Sequence, residues 1–598
     1  MLDRIPRAPE ITQSVRHARG SRRGSIRMPE SLQEMFYRRL DEAPAGHALA
    51  WYSSSGEFSW MTFEEFMARA SGPAACLAEE GVRAGDVCII VLPSEESASL
   101  LLLAVLQLGA VPLLIAPPLL RGTYETLLQT LRHTIRRTQA RVVILPFALS
   151  GLVGRLPGKG TRRYLFGERV VQFSSASEPP RVNPAEDDVA AMQLTSGTTG
   201  RPRICAWSQR NVLAGLAGMH AAMSLSSEDV CFNWTPLYHD MGLVNNFLLC
   251  LTHRVPLIMM KPFDFVKHPG LWLRGLAATG STVTWSPNFG FALAAERVTE
   301  DELSGVRLDD VRAFWNAAER IHVETMRAFH ARFARYGVRF EALRTNFGCA
   351  ENVGGATFTA PGETFPVEFV HRESLQRRRV ARAIGSANGD GQESVAVVGV
   401  GHPYPGMRIH ILSPRGKPLP DGHVGEIALD TPSRMVGYVG DGVANRRAIL
   451  RGLLKTGDLG YLRGQELFWV GRAKERITVR GRKLDPSDFE PVLLRVPGLR
   501  QGSFAAFGVE DAVKGTQRVI IVAEVRDPPG RSGADIIGDI NREVFLHLGV
   551  TADEVLLVRP GTLTKTSSGK RRHRFFRRQY LSGGLGALVF EDTGQGRP

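Results

Sequence analysis

Two spacings of apolar positions alternate along most of this chain. From Ser31 onward, segments with helical spacing of apolar residues are separated by short runs of aliphatic residues. Clear runs are VCIIVLP at 87–93, ARVVILP at 140–146 and VPLIMM at 255–260. Strands that alternate with helices indicate parallel sheets covered by helices on both faces. The pattern therefore predicts an α/β fold with αβα layers in the large N-terminal part.

The order of predicted helices and strands changes in the last third of the chain. A Gly/Ser/Asn-rich stretch at 385–394 predicts a loop, and VAVVGVG, MRIHIL and EIAL follow it as strands. These runs predict a β-rich subdomain near 395–470. Strand-like runs around a helix near 534–548 then predict a small, mobile C-terminal α+β domain. Since 598 residues are too many for one hydrophobic core, several units are expected.

The organisation predicted from these patterns has four parts. They are a flexible basic arm at 1–29, a large domain at 30–473, a small domain at 474–585 and a tail at 586–598. The uncharged stretch at 98–120 is long enough to cross a membrane. Gln107, Gly109 and Pro112 interrupt it, so a buried helix, a glycine turn and a buried strand are the favoured interpretation.

Net charge and cysteine content indicate which classes of partner the protein can bind and in which cellular compartment it functions. The net charge is +14, and a basic surface attracts nucleotides, coenzyme A or an acidic carrier protein, although a solvated arginine-rich surface explains it equally well. No basic motif with interleaved aromatic residues is present, so nucleic acid is not expected. The six cysteines are scattered without metal-ligand spacing, and the N-terminus lacks an apolar signal core. These features predict a cytoplasmic protein without structural zinc.

The segment AMQLTSGTTGRPR at 191–203 is the first candidate for chemistry. An apolar run ends there, and small hydroxyl and glycine residues follow, with Arg203 adding positive charge. Glycines allow the backbone to approach an anion, and successive N–H groups form an anion-binding nest. The segment is not a Walker A loop, and a plain surface loop is the alternative.

Five segments in order carry a resemblance to a known family. TSGTTGRPR resembles the phosphate loop of the adenylate-forming superfamily, although Arg203 stands where Lys is usual and Ile204 where Gly is usual. The other four segments are NWTPLYHDMGL at 233–243, FGCAE at 347–351, LKTGDLGYL at 454–462 with GRAKERITVRGRKLDPSDFE at 471–490, and LTKTSSGKRR at 563–572. The resemblance covers about residues 30–585 and implies attack of a carboxylate on the α-phosphate of ATP.

The resemblance also implies a role for each matching residue. Implied catalytic residues are Lys570, His239 and Glu351. Implied ligands of ATP are Thr195, Ser196, Gly197, Thr198, Thr199, Gly200, Arg203, Ala318, Glu319, Phe347, Gly348, Asp458 and Arg472. Glu351 and Thr199 are implied ligands of Mg²⁺, a cation that prefers oxygen ligands. Lys474 stands at the implied hinge of the small domain.

Further segments resemble the fatty acyl-AMP ligase branch. WSPNFGFAL at 285–293, NAAERIHVETMRAF at 316–329 and FVHRESLQRRRVARA at 369–383 match its segments, the last being its characteristic insertion. In that branch the insertion disfavours coenzyme A, which implies transfer of the acyl group to a separate acyl carrier protein. An acyl-CoA synthetase remains the alternative, followed by a non-catalytic nucleotide-binding homologue.

The resemblance places Trp285, Asn245 and Asn288 in the acid pocket. Trp285 stands where that branch has a small glycine, and Asn245 and Asn246 stand where it has small apolar residues. A tryptophan in an acyl tunnel would shorten it, since an indole fills much volume. These residues predict a short or compact acid, unless Trp285 turns into the core.

Overall fold

The computed structural model describes most of the chain in ten stretches. They are residues 31–118, 124–158, 162–174, 179–195, 202–384, 394–479, 482–511, 516–526, 531–565 and 571–585. The predicted arm at 1–29, most of the predicted loop at 385–394 and the tail at 586–598 lie outside them. So do two sets of predicted site residues: Ser196, Gly197, Thr198, Thr199 and Gly200 of the phosphate loop, and Lys570.

Two large sheets form the centre of the N-terminal part. Within the described residues, the first has nine strands, and its six central strands are all parallel. In spatial order its strands are His402–Pro403, Gly354–Phe358, Leu343–Cys349, Ala313–Ala317, Val283–Pro287, Cys231–Asn233, Leu257–Met260, His47–Tyr52 and Trp60–Thr62. The central strands read as continuous apolar runs because both faces of a parallel sheet are covered.

The second sheet has seven strands in the described part of the chain. In spatial order they are Gly437–Tyr438, Ile204–Ser208, Val189–Leu194, Val111–Leu114, Val87–Ile90, Val142–Leu145 and Arg163–Phe166. The last five are parallel, and the first two pair antiparallel. The chain leaves this sheet at Leu194, where the predicted phosphate loop begins.

Helices cover both sheets, and their sequences explain their positions. The longer helices of this part are Leu32–Glu42, Phe63–Glu79, Glu96–Gln107, Tyr124–Thr138, Gln209–Met223, Gly270–Ala278, Asn288–Arg297 and Val323–Phe333. Helix Glu96–Gln107 is apolar on almost every side and is almost completely buried, as expected for a helix without a polar face. Helix Tyr124–Thr138 buries a single stripe of three leucines, Thr134 and Ile135, so it lies on the outside.

The stretch at 98–120 has the structure predicted for it. The helix ends at Gln107, Gly109 adopts a positive φ of 65°, and strand Val111–Leu114 follows. In the described residues, no helix combines the length and the apolar character that crossing a membrane requires.

The β-rich region follows the nine-stranded sheet. Its strands are Val367–His371, Ser394–Val398, Arg408–Leu412, Gly425–Asp430, Ile449–Leu450, Leu453–Arg463 and Glu466–Arg472, all paired antiparallel. Helix Gly442–Ala448 lies among them. Strand Glu466–Arg472 ends where the C-terminal part begins.

The C-terminal part has its own hydrophobic core. Its strands are Ile477–Val479, Arg482–Leu484, Leu499–Asp511, Thr516–Val525 and Glu554–Val558, and its longer helices are Gly533–Leu548 and His573–Leu581. Buried residues from Ile477 to Leu557 form a cluster separate from the large core, and the link at 473–476 joins the two. The predicted α/β class with a β-rich region and a smaller C-terminal unit is confirmed. The boundary at 474 stays a prediction.

Candidate active site

A cavity of about 280 Å³ lies between the large sheets, the β-rich region and the C-terminal part. Three strands have their carboxyl ends at this cavity: Val189–Leu194, Ala313–Ala317 and Leu343–Cys349. This is the usual place for a ligand in a parallel α/β sheet, because loops that follow the strands converge there. Most of the predicted site residues within the described stretches line this cavity.

The base of the predicted phosphate loop is closed by two residues. The backbone N–H of Thr195 donates to the carbonyl of Arg203 at 2.8 Å, and the N–H of Arg203 donates to Thr195 Oγ1 at 3.2 Å. The Arg203 guanidinium lies 5.1 Å from the ring centre of Tyr438 and 3.6 Å from Asp441. Both Thr195 and Arg203 line the cavity, so the loop they bracket starts and ends at its wall.

Glu351 extends into the cavity from a short turn after strand Leu343–Cys349. Tyr438 donates its hydroxyl to Glu351 Oε1 at 2.7 Å, and the pKa of Tyr438 is raised by burial and by this carboxylate. Glu351 Oε2 has no hydrogen-bond partner among the described residues and is not sealed from solvent. One carboxylate oxygen is thus fixed and the other faces the cavity.

This arrangement fits the predicted magnesium ion. Mg²⁺ commonly binds through one or two carboxylates, with substrate phosphates and water as its other ligands. Within the described stretches no cluster of three metal-ligating side chains occurs. Glu351 Oε2 is a suitable oxygen, whereas Thr199 lies outside the described residues.

Asp458 and Arg472 face each other on neighbouring strands. They are register partners in the pair Leu453–Arg463 and Glu466–Arg472, and Arg472 Nε lies 3.2 Å from Asp458 Oδ1. The charge of Asp458 raises the pKa of Arg472. Both side chains line the cavity, and their predicted contacts with the nucleotide stay a prediction.

Phe347 and Gly348 form another wall. Phe347 lines the cavity with its ring almost buried, and a side chain on Gly348 would come within 2.5 Å of the Gly354 carbonyl oxygen. Only glycine fits this close approach of two strands. The predicted stacking of Phe347 on adenine stays a prediction.

Ala318 and Glu319 follow strand Ala313–Ala317 at the same end. Ala318 adopts a positive φ of 73°, an uncommon conformation outside glycine. Glu319 accepts a hydrogen bond from the N–H of Phe289 at 2.7 Å, and burial, followed by the charge of Glu490, raises its pKa. Glu319 thus fixes the start of helix Asn288–Arg297, and its predicted contact with ATP stays a prediction.

His239 lies at the centre of the cavity wall. Its Nδ1 accepts a hydrogen bond from the N–H of Met241 at 3.2 Å and lies 2.7 Å from Asp240 Oδ1. The N–H of Met241 lies 2.9 Å from the same oxygen. These two contacts hold the imidazole ring at the cavity wall.

Predicted site residues of the C-terminal part flank the same cavity. Lys474 lines it, and burial and the nearby Arg203 lower its pKa. Lys570 lies outside the described residues. Lys565 and Arg571 bracket it: Lys565 Nζ is 5.9 Å from the ring centre of Phe289, and Arg571 lines the cavity.

A charged network that the sequence did not predict joins the two parts of the molecule. Arg320 forms a buried salt bridge with Asp488 and donates to Ser487 Oγ at 3.2 Å. Beside it, Glu490 pairs with Arg571 and lies 3.3 Å from His322 Nε2. Burial alone would raise the pKa of Glu490, but the Arg571 charge holds it well below its ordinary value.

The predicted acid pocket requires a correction. Asn245 lines the cavity as predicted, but Trp285 and Asn288 do not. Trp285 is fully buried and stacks on Trp315, with ring centres 5.4 Å apart. Asn288 accepts from Asn316 Nδ2 at 3.1 Å and from the His322 N–H at 3.2 Å. Both residues therefore belong to the supporting layer behind the cavity, because their polar or aromatic groups are engaged there.

Comparison with known proteins agrees with this geometry. The family model described as AMP-binding enzyme matches residues 36–439, which is more than half of the chain. The chain belongs to the family of AMP-binding enzymes. ATP as the nucleotide follows from this membership, because enzymes of the family use ATP.

Similar proteins indicate to which branch of the family the chain is related. The chain is 31% identical to the medium-chain-fatty-acid–[acyl-carrier-protein] ligase JamA of Moorena producens over 69% of this chain and 71% of that protein. It is 27% identical to a 4-hydroxyphenylalkanoate adenylyltransferase of Mycobacterium marinum, covering 72% and 71% of the two chains. A solved structure described as a fatty acyl-adenylate ligase from E. coli or L. pneumophila superposes with a TM-score of 0.85 at 26% identity, covering 94% and 99%. The predicted resemblance to fatty acyl-AMP ligases, and with it an acid–AMP ligase activity, is confirmed.

Proposed function

We propose that the protein joins a carboxylic acid to AMP, with release of pyrophosphate, and passes the acyl group to a separate acyl carrier protein. The observation that carries this proposal is the convergence of Asp458 with Arg472, Phe347, Glu351 and His239 on one cavity. Asp458 and Arg472 suit the ribose, and Phe347 suits the adenine. Glu351 suits the metal ion on the phosphates, and His239 suits the reacting carboxylate. No protein nucleophile is needed for the reaction.

In the first half-reaction, an oxygen of the carboxylate attacks the α-phosphorus of ATP. The new O–P bond forms as the bond to the bridging oxygen breaks, and pyrophosphate leaves. Asp458 and Arg472 orient the ribose, and Arg203 adds positive charge at the phosphate loop. Glu351 Oε2 would hold Mg²⁺, which would neutralise charge on the phosphate oxygens. Such positioning and charge stabilisation account for most catalysis in phosphoryl-type transfers.

In the second half-reaction, a thiol of the carrier attacks the acyl carbon, a thioester forms, and AMP leaves. Support for a carrier protein over coenzyme A comes from the insertion-like segment. Strand Val367–His371 is fixed by Glu368, which accepts from Tyr461 and from Arg463 at 2.7 Å each. The following turn, Ser374–Arg378, packs against strand Arg482–Leu484 of the C-terminal part. In the fatty acyl-AMP ligases that this segment resembles, the insertion disfavours coenzyme A.

The test is ATP–pyrophosphate exchange with a panel of carboxylic acids, followed by mass spectrometry of a phosphopantetheinylated carrier protein and, in parallel, of coenzyme A. Acid-dependent exchange and acylated carrier are expected. Lys570→Ala should retain ATP binding and lower exchange by about 10²–10³, the usual effect of one charge-stabilising donor. Absence of exchange with every acid contradicts the adenylation proposal, and preferential formation of acyl-CoA contradicts the carrier.

A further inference from the structure

We infer that the acid pocket is built for a compact acyl group that carries a hydroxyl, and not for a plain long alkyl chain. This inference rests on the proposed function, since it concerns the acid side of the same cavity. It starts from two buried amides, Asn245 and Asn346, which line the cavity beside Gly354 and Gly355. Each amide has one polar atom fixed by the backbone and one polar atom directed to the cavity.

Asn245 presents a hydrogen-bond donor. It lies in a π-helical segment, Leu243–Leu248, and its Oδ1 accepts from the N–H of Gly355 at 3.2 Å. This bond fixes which atom of the amide is oxygen, so Nδ2 is the remaining group. Nδ2 has no partner among the described residues and is not sealed from solvent, although the residue as a whole is 4% exposed. Its two N–H groups therefore face the cavity.

Asn346 presents a hydrogen-bond acceptor to the same cavity. Its Nδ2 donates to the backbone carbonyl of Thr357, which fixes this amide as well. Oδ1 has no partner among the described residues and is also open to the cavity. The two amides flank Gly354 and Gly355: a side chain on Gly354 would meet Asn245 Oδ1 at 2.3 Å, and one on Gly355 would meet Asn346 Nδ2 at 3.1 Å.

Behind this pair of glycines, the space is filled. A side chain on Gly355 would also come within 2.6 Å of Phe358. The Phe358 ring packs edge-on against Trp315 at 5.4 Å and Trp285 at 6.3 Å, and all three rings are buried. The aromatic cluster of Trp285, Trp315 and Phe358 lines no part of the cavity. A long chain therefore meets packed rings in this direction.

A hydroxyl satisfies both amides, because it can accept from Asn245 Nδ2 and donate to Asn346 Oδ1. A methylene chain would instead desolvate both groups without replacing their hydrogen bonds, which is unfavourable. Sites built to bind a hydroxyl discriminate strongly against the analogue that lacks it. A keto oxygen could use only the donor of Asn245.

The test measures binding and does not require turnover. Acyl-sulfamoyladenosines, stable analogues of acyl adenylates, would be prepared with butanoyl, 2-, 3- and 4-hydroxybutanoyl, and dodecanoyl groups. Isothermal titration calorimetry with the full chain should show that the best hydroxybutanoyl analogue binds at least about tenfold more tightly than butanoyl and dodecanoyl. Equal or tighter binding of the dodecanoyl analogue overturns the inference.

Variants identify the groups responsible. Asn245→Leu should reduce the hydroxybutanoyl-to-butanoyl affinity ratio to near one. Asn245→Asp keeps an oxygen for the Gly355 N–H and replaces the donor with a carboxylate oxygen of nearly the same size, so it should lower the ratio without the packing change. Asn246→Leu is the matched control, since this neighbouring amide is buried and does not line the cavity. A ratio unchanged in both Asn245 variants overturns the inference.

Exchange assays on the same acids separate this inference from the proposed function. Selective binding of hydroxyacyl analogues without pyrophosphate exchange would leave the pocket assignment intact and contradict the reaction. Exchange that is fastest with unsubstituted long-chain acids would support adenylation and overturn the hydroxyl-binding pocket.

Discussion

The salt bridge between Arg320 and Asp488 provides a quantitative prediction about how the two parts of the molecule are held together. Arg320→Ala removes the cation that forms a salt bridge with Asp488. The two side chains are 13% and 17% exposed. Asp488 would then lose its salt bridge while it still accepts from the Asp485 N–H at 2.8 Å, and the pKa of the Asp485 carboxyl is already raised to about 6 by burial and by the charge of Asp488. The variant should therefore weaken docking of the C-terminal part.

The magnitude follows from the burial of the pair. Removing one partner of a fully buried ion pair costs about 3–5 kcal/mol, whereas a hydrogen bond to a charged group contributes about 1.5–3 kcal/mol. Asp488 can be hydrated if the C-terminal part moves away, so the lower range applies. At about 1.4 kcal/mol per factor of ten, the docked state should become roughly ten- to a hundredfold less favourable.

Two assays measure this change. Limited proteolysis should cleave the link at 473–476 faster in Arg320→Ala, and pyrophosphate exchange should slow, because Arg571 and Glu490 of the C-terminal part line the cavity. Arg307→Ala is the control, since its pair with Asp309 is exposed and lies within the large domain; exposed pairs contribute little.

A double-mutant cycle with Asp488→Ala completes the experiment. The two single variants should have similar effects and the double variant little more, because both remove the same pair. A coupling energy below about 0.5 kcal/mol, the usual deviation for independent sites, would refute the reasoning. So would an Arg307→Ala variant that is cleaved as fast as Arg320→Ala.

Three further predictions concern the pocket, the link and pH. Trp285→Leu should lower the free energy of unfolding by less than the roughly 3–5 kcal/mol typical of Trp→Ala and shift kcat/KM toward longer acids; an unmoved length profile contradicts this. Lys474→Pro, compared with Lys474→Ala, should impair adenylation and acyl transfer unequally, and equal losses would indicate misfolding. Since the folded pKa of Asp485 is raised, its contribution to stability is full below pH about 4 and is lost as pH rises through about 6. Asp485→Asn should flatten that part of the thermal-midpoint profile, and parallel profiles would contradict it.

The nucleotide side of the cavity was predictable from the sequence because its residues lie in short continuous motifs. Asp458 and Arg472 fall in two neighbouring segments, and antiparallel pairing of adjacent strands brings them together. Phe347 and Glu351 are four positions apart at one strand end. In such cases local order along the chain already decides which groups meet in space.

The acid side could not be predicted in the same way. Trp285 lies in the layer behind the cavity because it packs against Trp315 and Phe358, which come from two other strands. The role of Asn346 depends on Thr357 taking its Nδ2, and that of Asn245 on Gly355 taking its Oδ1. None of these pairings is visible in the spacing of residues, because each joins elements that are distant in the sequence or is set by side-chain orientation.

The Arg320 pair and the two amides should control different properties of the enzyme. Arg320 determines how often the C-terminal part closes the cavity, so its loss should slow exchange with every acid by a similar factor. Asn245 contacts only the acyl group in the inferred complex, so its loss should change the order of preference among acids. The two residues share no hydrogen-bond partner, and effects at independent sites add. The variant Arg320→Ala/Asn245→Asp should therefore show the preference of one parent variant at the overall rate of the other; a non-additive result would mean that docking also reshapes the acid pocket.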